Sequence, residues 1–217
     1  MNNRVFTLGR DKRRYIREFS IRNQPENKDY ALVVLLQQPR HADFKYEGTI
    51  AHVLDDVARA SYFEQPDYLG EVAFKKIYFI NWVSSFEKIT QENMAHVVSS
   101  LDLRTTFGLL NSLLQMEGIR GVTLLLGSGK FEGLLNPMRK EIATTMRSLL
   151  KKIRNLDNVY AYQYAQKRAN GALFPYRGSV IPEDSDPQGS RTLEFKVAEV
   201  TIDEYLDDFL FRVNGKS

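Results

Sequence analysis

The chain has 217 residues, 43% of them apolar and 26% charged, which is the composition of one globular domain and excludes a disordered chain. It contains no cysteine, which excludes disulfides, thiolate chemistry and cysteine-type zinc sites. The net charge of +3 is unevenly spread: residues 1–30 carry eight Lys/Arg against four Asp/Glu, residues 139–177 nine against two, and residues 178–217 four against nine.

That asymmetry predicts a polyanionic partner for the basic segments. The plain alternative is that the cations line solvated helix faces. No apolar run approaches the ~18 residues needed to cross a bilayer. The opening MNNRVFTLGRDKRRY lacks the apolar region and cleavage site of a secretory signal. The expectation is a cytoplasmic protein without membrane contact, one α/β domain over 1–217. Residues 1–29 form a basic N-terminal hairpin or arm, and 178–217 an acidic strand–helix extension.

Val5–Leu8 and Tyr15–Ile21 read as an opening hairpin turning through Arg10–Arg14. Tyr30–Gln37 (YALVVLLQ) is a continuous apolar run, the pattern of a strand buried on both faces, and Pro39 ends it. Thr49 caps a helix to about Phe63, with Ile50, Val53, Leu54 and Val57 at helical spacing. A second buried strand spans Ala73–Asn81. A helical stretch follows from Gln91 to about Met116, with Asp102 and Gly108 interrupting its pattern, which leaves one helix or two. Gly118 and Gly121 bracket the turn into strand Gly121–Leu126. A helix broken early by Pro137 runs to Arg154, and Asn158–Tyr164 is a fourth strand. Gly171–Gly189 reads as a loop, Thr192–Val200 as a last strand and Ile202–Phe211 as a last helix. The repeated strand–helix–strand order predicts a three-layer α/β/α fold with a mostly parallel central sheet.

Ligands of such sheets bind outside the C-terminal ends of the strands. Four loops meet that condition, and they carry Gln38, Pro39, Arg40, His41 and Asp43; Asn81, Trp82 and Ser84; Gly127, Ser128 and Gly129; and Tyr176 with Arg177. Gly-Ser-Gly-Lys fails as a phosphate-binding P-loop, because Leu124 and Phe131 stand where that motif needs Gly and Ser/Thr. It remains a glycine turn at a helix start, able to hold an anion or chosen for backbone geometry alone. His41 and Asp43 have the chemistry of a base and its partner. The three histidines show no metal spacing, and no nucleophile elbow is present. No cofactor and no metal are implied.

ALVVLLQQPRHAD followed by EGTI, FINWV, VTLLLG and NGALFPYRG together resemble the bacterial and phage domain-of-unknown-function family numbered 1643, over about residues 14–178. The matches are Pro39, Ala42, Asp43, Thr49, Asn81, Gly127, Gly171, Pro175 and Tyr176. The departures are Gln38, Arg40 and Phe174, and they imply an altered or lost chemistry where those positions act in relatives. The layout of proline loops is also similar to the uracil-DNA glycosylase architecture, an analogy at the level of fold.

Two readings of different class follow. One is a nucleic-acid- or nucleotide-binding protein of glycosylase-like architecture, acting on a base or its glycosidic bond if it is an enzyme. In it Asp43 is the activating carboxylate, Asn81 the base-reading amide, and Trp82 or Tyr176 a stacking surface. The other is a catalytically silent protein-interaction module from a phage or mobile element.

Overall fold

The computed structural model describes residues 2–8, 13–20, 29–38, 50, 53–54, 74–83, 85, 92–93, 98–127, 136–167, 173–177 and 194–207. Strands β1 (Asn2–Leu8), β2 (Arg13–Ser20), β3 (Tyr30–Leu36) and β4 (Phe74–Asn81) precede helix α1 (Ser100–Met116). After it come β5 (Gly121–Gly127), α2 (Asn136–Leu150), β6 (Leu156–Lys167), β7 (Leu173–Arg177) and β8 (Glu194–Glu199). Residues 202–207 form a further helix, α3.

The strands make one sheet in the order β1-β2-β4-β3-β5-β6, with β7 and β8 both paired to β6. Its centre, β4-β3-β5-β6, is parallel. Its margins are antiparallel. Chain length accounts for two of these pairs, β1–β2 and β6–β7: residues 9–12 and 168–172 are too few for a parallel crossover, which needs a dozen or more. The α/β class expected from the sequence holds, with the parallel character confined to the middle of the sheet. Part of the expected Gly171–Gly189 loop is instead strand β7. Its Pro175 is tolerated because, among the described residues, β7 pairs on one edge only.

Side chains alternate between the faces of the sheet. Val33, Leu35, Tyr78, Ile80, Leu124 and Leu126 belong to a cluster with Phe107 and Leu110 of α1, Met146 and Leu150 of α2, and Leu206 of α3. The other face holds Leu32, Val34, Ile77, Phe79 and Leu125, which are buried as well, as are Ile50 and Val53. Burial on both faces is what the unbroken apolar runs predict. Among the described residues no helix is long and apolar enough to cross a membrane.

Helix α1 starts later than the sequence suggests. Ser99, in extended conformation, accepts a hydrogen bond from the Asp102 N–H at 3.3 Å and caps a helix that begins at Ser100. Asp102 is therefore not an interruption; it sits in the first turn, where a carboxylate favours the helix dipole. Gly108 lies exposed inside the same continuous helix. At the other end Gly118 takes a φ of 65°. Its N–H donates to Gln115 and the Ile119 N–H to Leu114, a Schellman closure that aims the chain into β5. Pro137 falls in the first turn of α2, where its missing N–H costs nothing, so it opens that helix rather than breaking it.

Beneath the end of α1 lies a buried charge cluster. Lys76 Nζ donates to Glu18 Oε1 at 2.7 Å and to Ser20 Oγ at 2.9 Å, and it pairs with Glu117 Oε1 at 3.3 Å. All three ammonium donors are thereby used. Glu18 is fully buried and Tyr78 stands opposite it across β2 and β4. Burial first, and then the Glu18 and Glu117 carboxylates, push the Tyr78 hydroxyl well above its ordinary pKa.

Two outcomes are expected in chemical denaturation. Lys76→Met, which strands the Glu18 carboxylate, costs about 3–5 kcal/mol, and adding Glu18→Leu restores most of it. Leu124→Ala costs about 2–5 kcal/mol; a loss well under 1 kcal/mol would contradict its place at the centre of the core.

Candidate functional site at the C-terminal edge of the sheet

The parallel register brings the strand ends into one row. Leu36 is the partner of Asn81 on β4 and of Gly127 on β5, so Asn81 and Gly127 flank it about 10 Å apart. The ladder continues past the row, with the Trp82 N–H donating to the Leu36 carbonyl at 3.1 Å and the Val83 N–H to that of Gln37 at 3.0 Å. The chain leaves β3 toward β4 on one side and leaves β5 toward β6 on the other. The gap between Leu36 and Gly127 is therefore the topological switch point, the place where sheets of this kind open a crevice.

A second strand end reaches the same place. Tyr160 and Ala161 of β6 pair with β5 on one edge and with β8 on the other, while Gln163 to Ala165 pair with β7 and again with β8. β5 and β7 thus occupy the same edge of β6, end to end. Arg177 and Tyr176 follow directly beyond Gly127 in that lane. The sequence expectation is that Asp43, Asn81, Gly127 and Tyr176 line one cavity; the register places the backbone of Asn81, Gly127 and Tyr176 at one edge of the sheet. Pro39, Arg40, His41, Asp43, Ser128 and Gly129 lie outside the described residues.

Among the expected site residues Asn81 keeps its chemistry. Its side chain is buried, with 3% exposure, and its Oδ1 accepts no hydrogen bond. A buried acceptor without a donor costs about 1–3 kcal/mol, so its place at a strand end needs a reason other than stability. Gln38 has a positioning part instead: its Nε2 donates to the Ser85 carbonyl at 2.8 Å, tying the segment after β3 to the segment after β4.

Trp82 is a correction. It is 1% exposed and belongs to the core cluster on the α1–α2 face. A ring held inside the core presents no face on which a ligand could stack.

The charge asymmetry also takes a different meaning. Arg147 of α2 pairs with Asp203 at 2.9 Å and Asp207 at 2.7 Å, and Lys151 pairs with Asp203 at 2.7 Å. Part of the basic excess in residues 139–177 is therefore met by the chain's own acidic extension. The hydrogen bond from Lys151 holds the Asp203 carboxyl below its ordinary pKa. That contribution is present above the ordinary Asp value and is lost as pH falls from there through the lowered value of the folded chain. At the N-terminal end of the strands, Asp29 meets Lys75 at 3.5 Å and Arg120 at 3.6 Å. Among the described residues no group of three His, Asp or Glu side chains comes together to hold a metal.

No family model matches the chain, and comparison with curated proteins and with solved structures finds no similar protein. The site is read from its geometry.

Asn81→Leu is expected to leave the fold as stable as before or to raise its stability by about 1 kcal/mol, since it removes an unpaired buried acceptor. A loss beyond about 2 kcal/mol in thermal or urea unfolding would assign Asn81 to the fold rather than to a ligand.

Proposed function

We propose that this chain binds nucleic acid or a nucleotide at the C-terminal edge of its sheet, in a three-layer α/β/α frame. The observation that carries the reading is the buried, unpartnered Oδ1 of Asn81 beside the switch point. A carbonyl in that position accepts from a ring N–H or an exocyclic amine, the groups a nucleobase presents and a bare phosphate lacks. Asp43 belongs to the segment that follows β3 and supplies the carboxylate for any reaction on the base or its glycosidic bond. Burial of both sheet faces supports the layered frame.

Fluorescence-anisotropy titrations of labelled DNA and RNA at several salt concentrations test this. Affinity is expected to fall with salt by about 0.7–0.9 in the log–log slope per phosphate contacted. Asn81→Leu weakens binding and leaves the slope unchanged, because it contacts no phosphate. Arg147→Ala with Lys151→Ala changes neither, since those cations are already paired within the chain. No binding to any nucleic acid or nucleotide at low salt overturns the reading and leaves the protein-interaction module in its place.

A further inference from the structure

A helix packed on a sheet carries charge on its outer face, and α2 does so with Lys140, Glu141 and Lys151. Helix α1 does not. Its exposed positions are Leu101, Arg104, Gly108, Ser112, Gln115 and Met116, with Arg104 the single charge among them. Leu101 is 70% exposed and Met116 82%, about 22 Å apart along the axis. Leu101, Thr105, Gly108, Ser112 and Met116 recur at helical spacing and so run down one face. The hydroxyls of that face are already used. Thr105 Oγ1 donates to the Leu101 carbonyl at 2.9 Å, and Ser112 Oγ to that of Gly108 at 3.0 Å. Covering the face therefore strands no hydroxyl donor. Its centre is open, since a Cβ at Gly108 would meet no heavy atom within 4 Å.

One flank of this face is basic. Arg104 and Asn111 are seven residues apart, two turns along the same side of the helix. Asn111 Nδ2 donates to the Lys152 carbonyl at 3.2 Å, and its Oδ1 accepts from the Arg154 N–H at 2.9 Å. The segment after α2 is thus fastened along that side. Arg104, Lys152 and Arg154 are all exposed, and among the described residues none of them meets a carboxylate. Glu117, at the end of α1, is already paired with Lys76. Asp102, two residues before Arg104, falls on the other side of the helix.

We propose that the outer face of α1 docks an amphipathic helix of a partner protein, its apolar side on Leu101 and Met116 and its acidic residues along the flank of Arg104, Lys152 and Arg154. Charge and apolarity together choose this occupant. A nucleic acid would use the three cations and leave Leu101 and Met116 in water. A second copy in antiparallel pairing sets basic flank against basic flank, and in parallel pairing it sets like ends of two helix dipoles side by side. An acidic amphipathic helix meets neither objection. At 17 residues α1 is about 25 Å long, so the contact is smaller than a permanent interface and the complex is a transient one. The proposal is independent of the nucleic-acid reading above.

The test uses the full chain and a labelled, lactam-bridged peptide of about 18 residues, long enough to hold a helix, with leucine at helical spacing and glutamate beside it. A counterpart carries lysine in place of glutamate. Fluorescence anisotropy is expected to show micromolar binding of the acidic peptide and at least about tenfold weaker binding of the basic one. Leu101→Ser and Met116→Ser should each weaken binding of the acidic peptide by roughly tenfold. Arg104→Glu with Lys152→Glu and Arg154→Glu should reverse the preference between the peptides. These positions are exposed, so thermal unfolding should stay as in the wild type. No binding of either peptide, equal binding of both, or binding indifferent to Leu101 and Met116 overturns the docking face. A concentration-dependent dimer in sedimentation that Met116→Ser abolishes overturns it too, by seating a second copy there. DNA binding that is lost with the three cations and indifferent to Leu101 and Met116 assigns the flank to nucleic acid and likewise overturns it.

Discussion

Register across the four parallel strands is the constraint from which the rest of the molecule follows. Leu36 has Asn81 on one side and Gly127 on the other, and the same pairing runs back through Val33, Tyr78 and Leu124. Because side chains repeat every second residue, a slip of one position would turn every core residue to the wrong face. Here both faces are buried, so each strand is held by packing above and below as well as by its ladder. The row of strand ends is thus fixed by the core and not by the loops that leave it. The length of β6 matters for the same reason. It keeps register with β5 through Ala161 and then runs on, and only that surplus gives β7 a partner.

Two kinds of charge do different work in this frame. Glu18 and Lys76 are buried, and a buried ion pair contributes little net stability over an apolar substitute, yet losing one partner is expensive. The pair therefore specifies how β2 sits against β4 and the end of α1 more than it strengthens the sheet. The contacts of Arg147 and Lys151 with the acidic α3 are exposed, where each pair is worth little. Burial of Ile202, Tyr205 and Leu206 holds α3 in place, and its carboxylates then neutralise nearby cations. The consequence is a redistribution of charge: Arg147 and Lys151 are satisfied within the chain.

Asn81 and Trp82 show how one step along a strand separates chemistry from packing. Both are nearly inaccessible and both follow the same apolar run. Trp82 gains by its burial, since a large ring among Tyr78, Ile80 and Phe107 contributes area to the core. Asn81 gains nothing by it, since its carbonyl oxygen meets no donor. An acceptor left unsatisfied at the edge of a well-packed sheet lowers the stability of the fold.

The sequence by itself determined the secondary structure of the centre. The short, largely apolar runs at Tyr30–Leu36, Phe74–Asn81 and Gly121–Gly127 have the length and composition of buried strands, and Gly118 announces the helix end at the position where a left-handed residue is needed. It also identified Asn81 and Gly127 as closing their strands, because a polar or glycine residue at the end of an apolar run marks where a buried strand leaves the core. What it did not contain was distance across the chain. That β7 is a strand at all depends on β6 offering a free edge, since Leu-Phe-Pro-Tyr-Arg has no pattern that declares it. That Trp82 is core and Asn81 is not depends on which face the neighbouring helices cover. That Arg147 and Lys151 face Asp203 and Asp207 depends on α3 docking more than fifty residues later. Each of these is a contact between segments remote in sequence, and the local pattern of residues carries no record of its partner until the sheet has set the register.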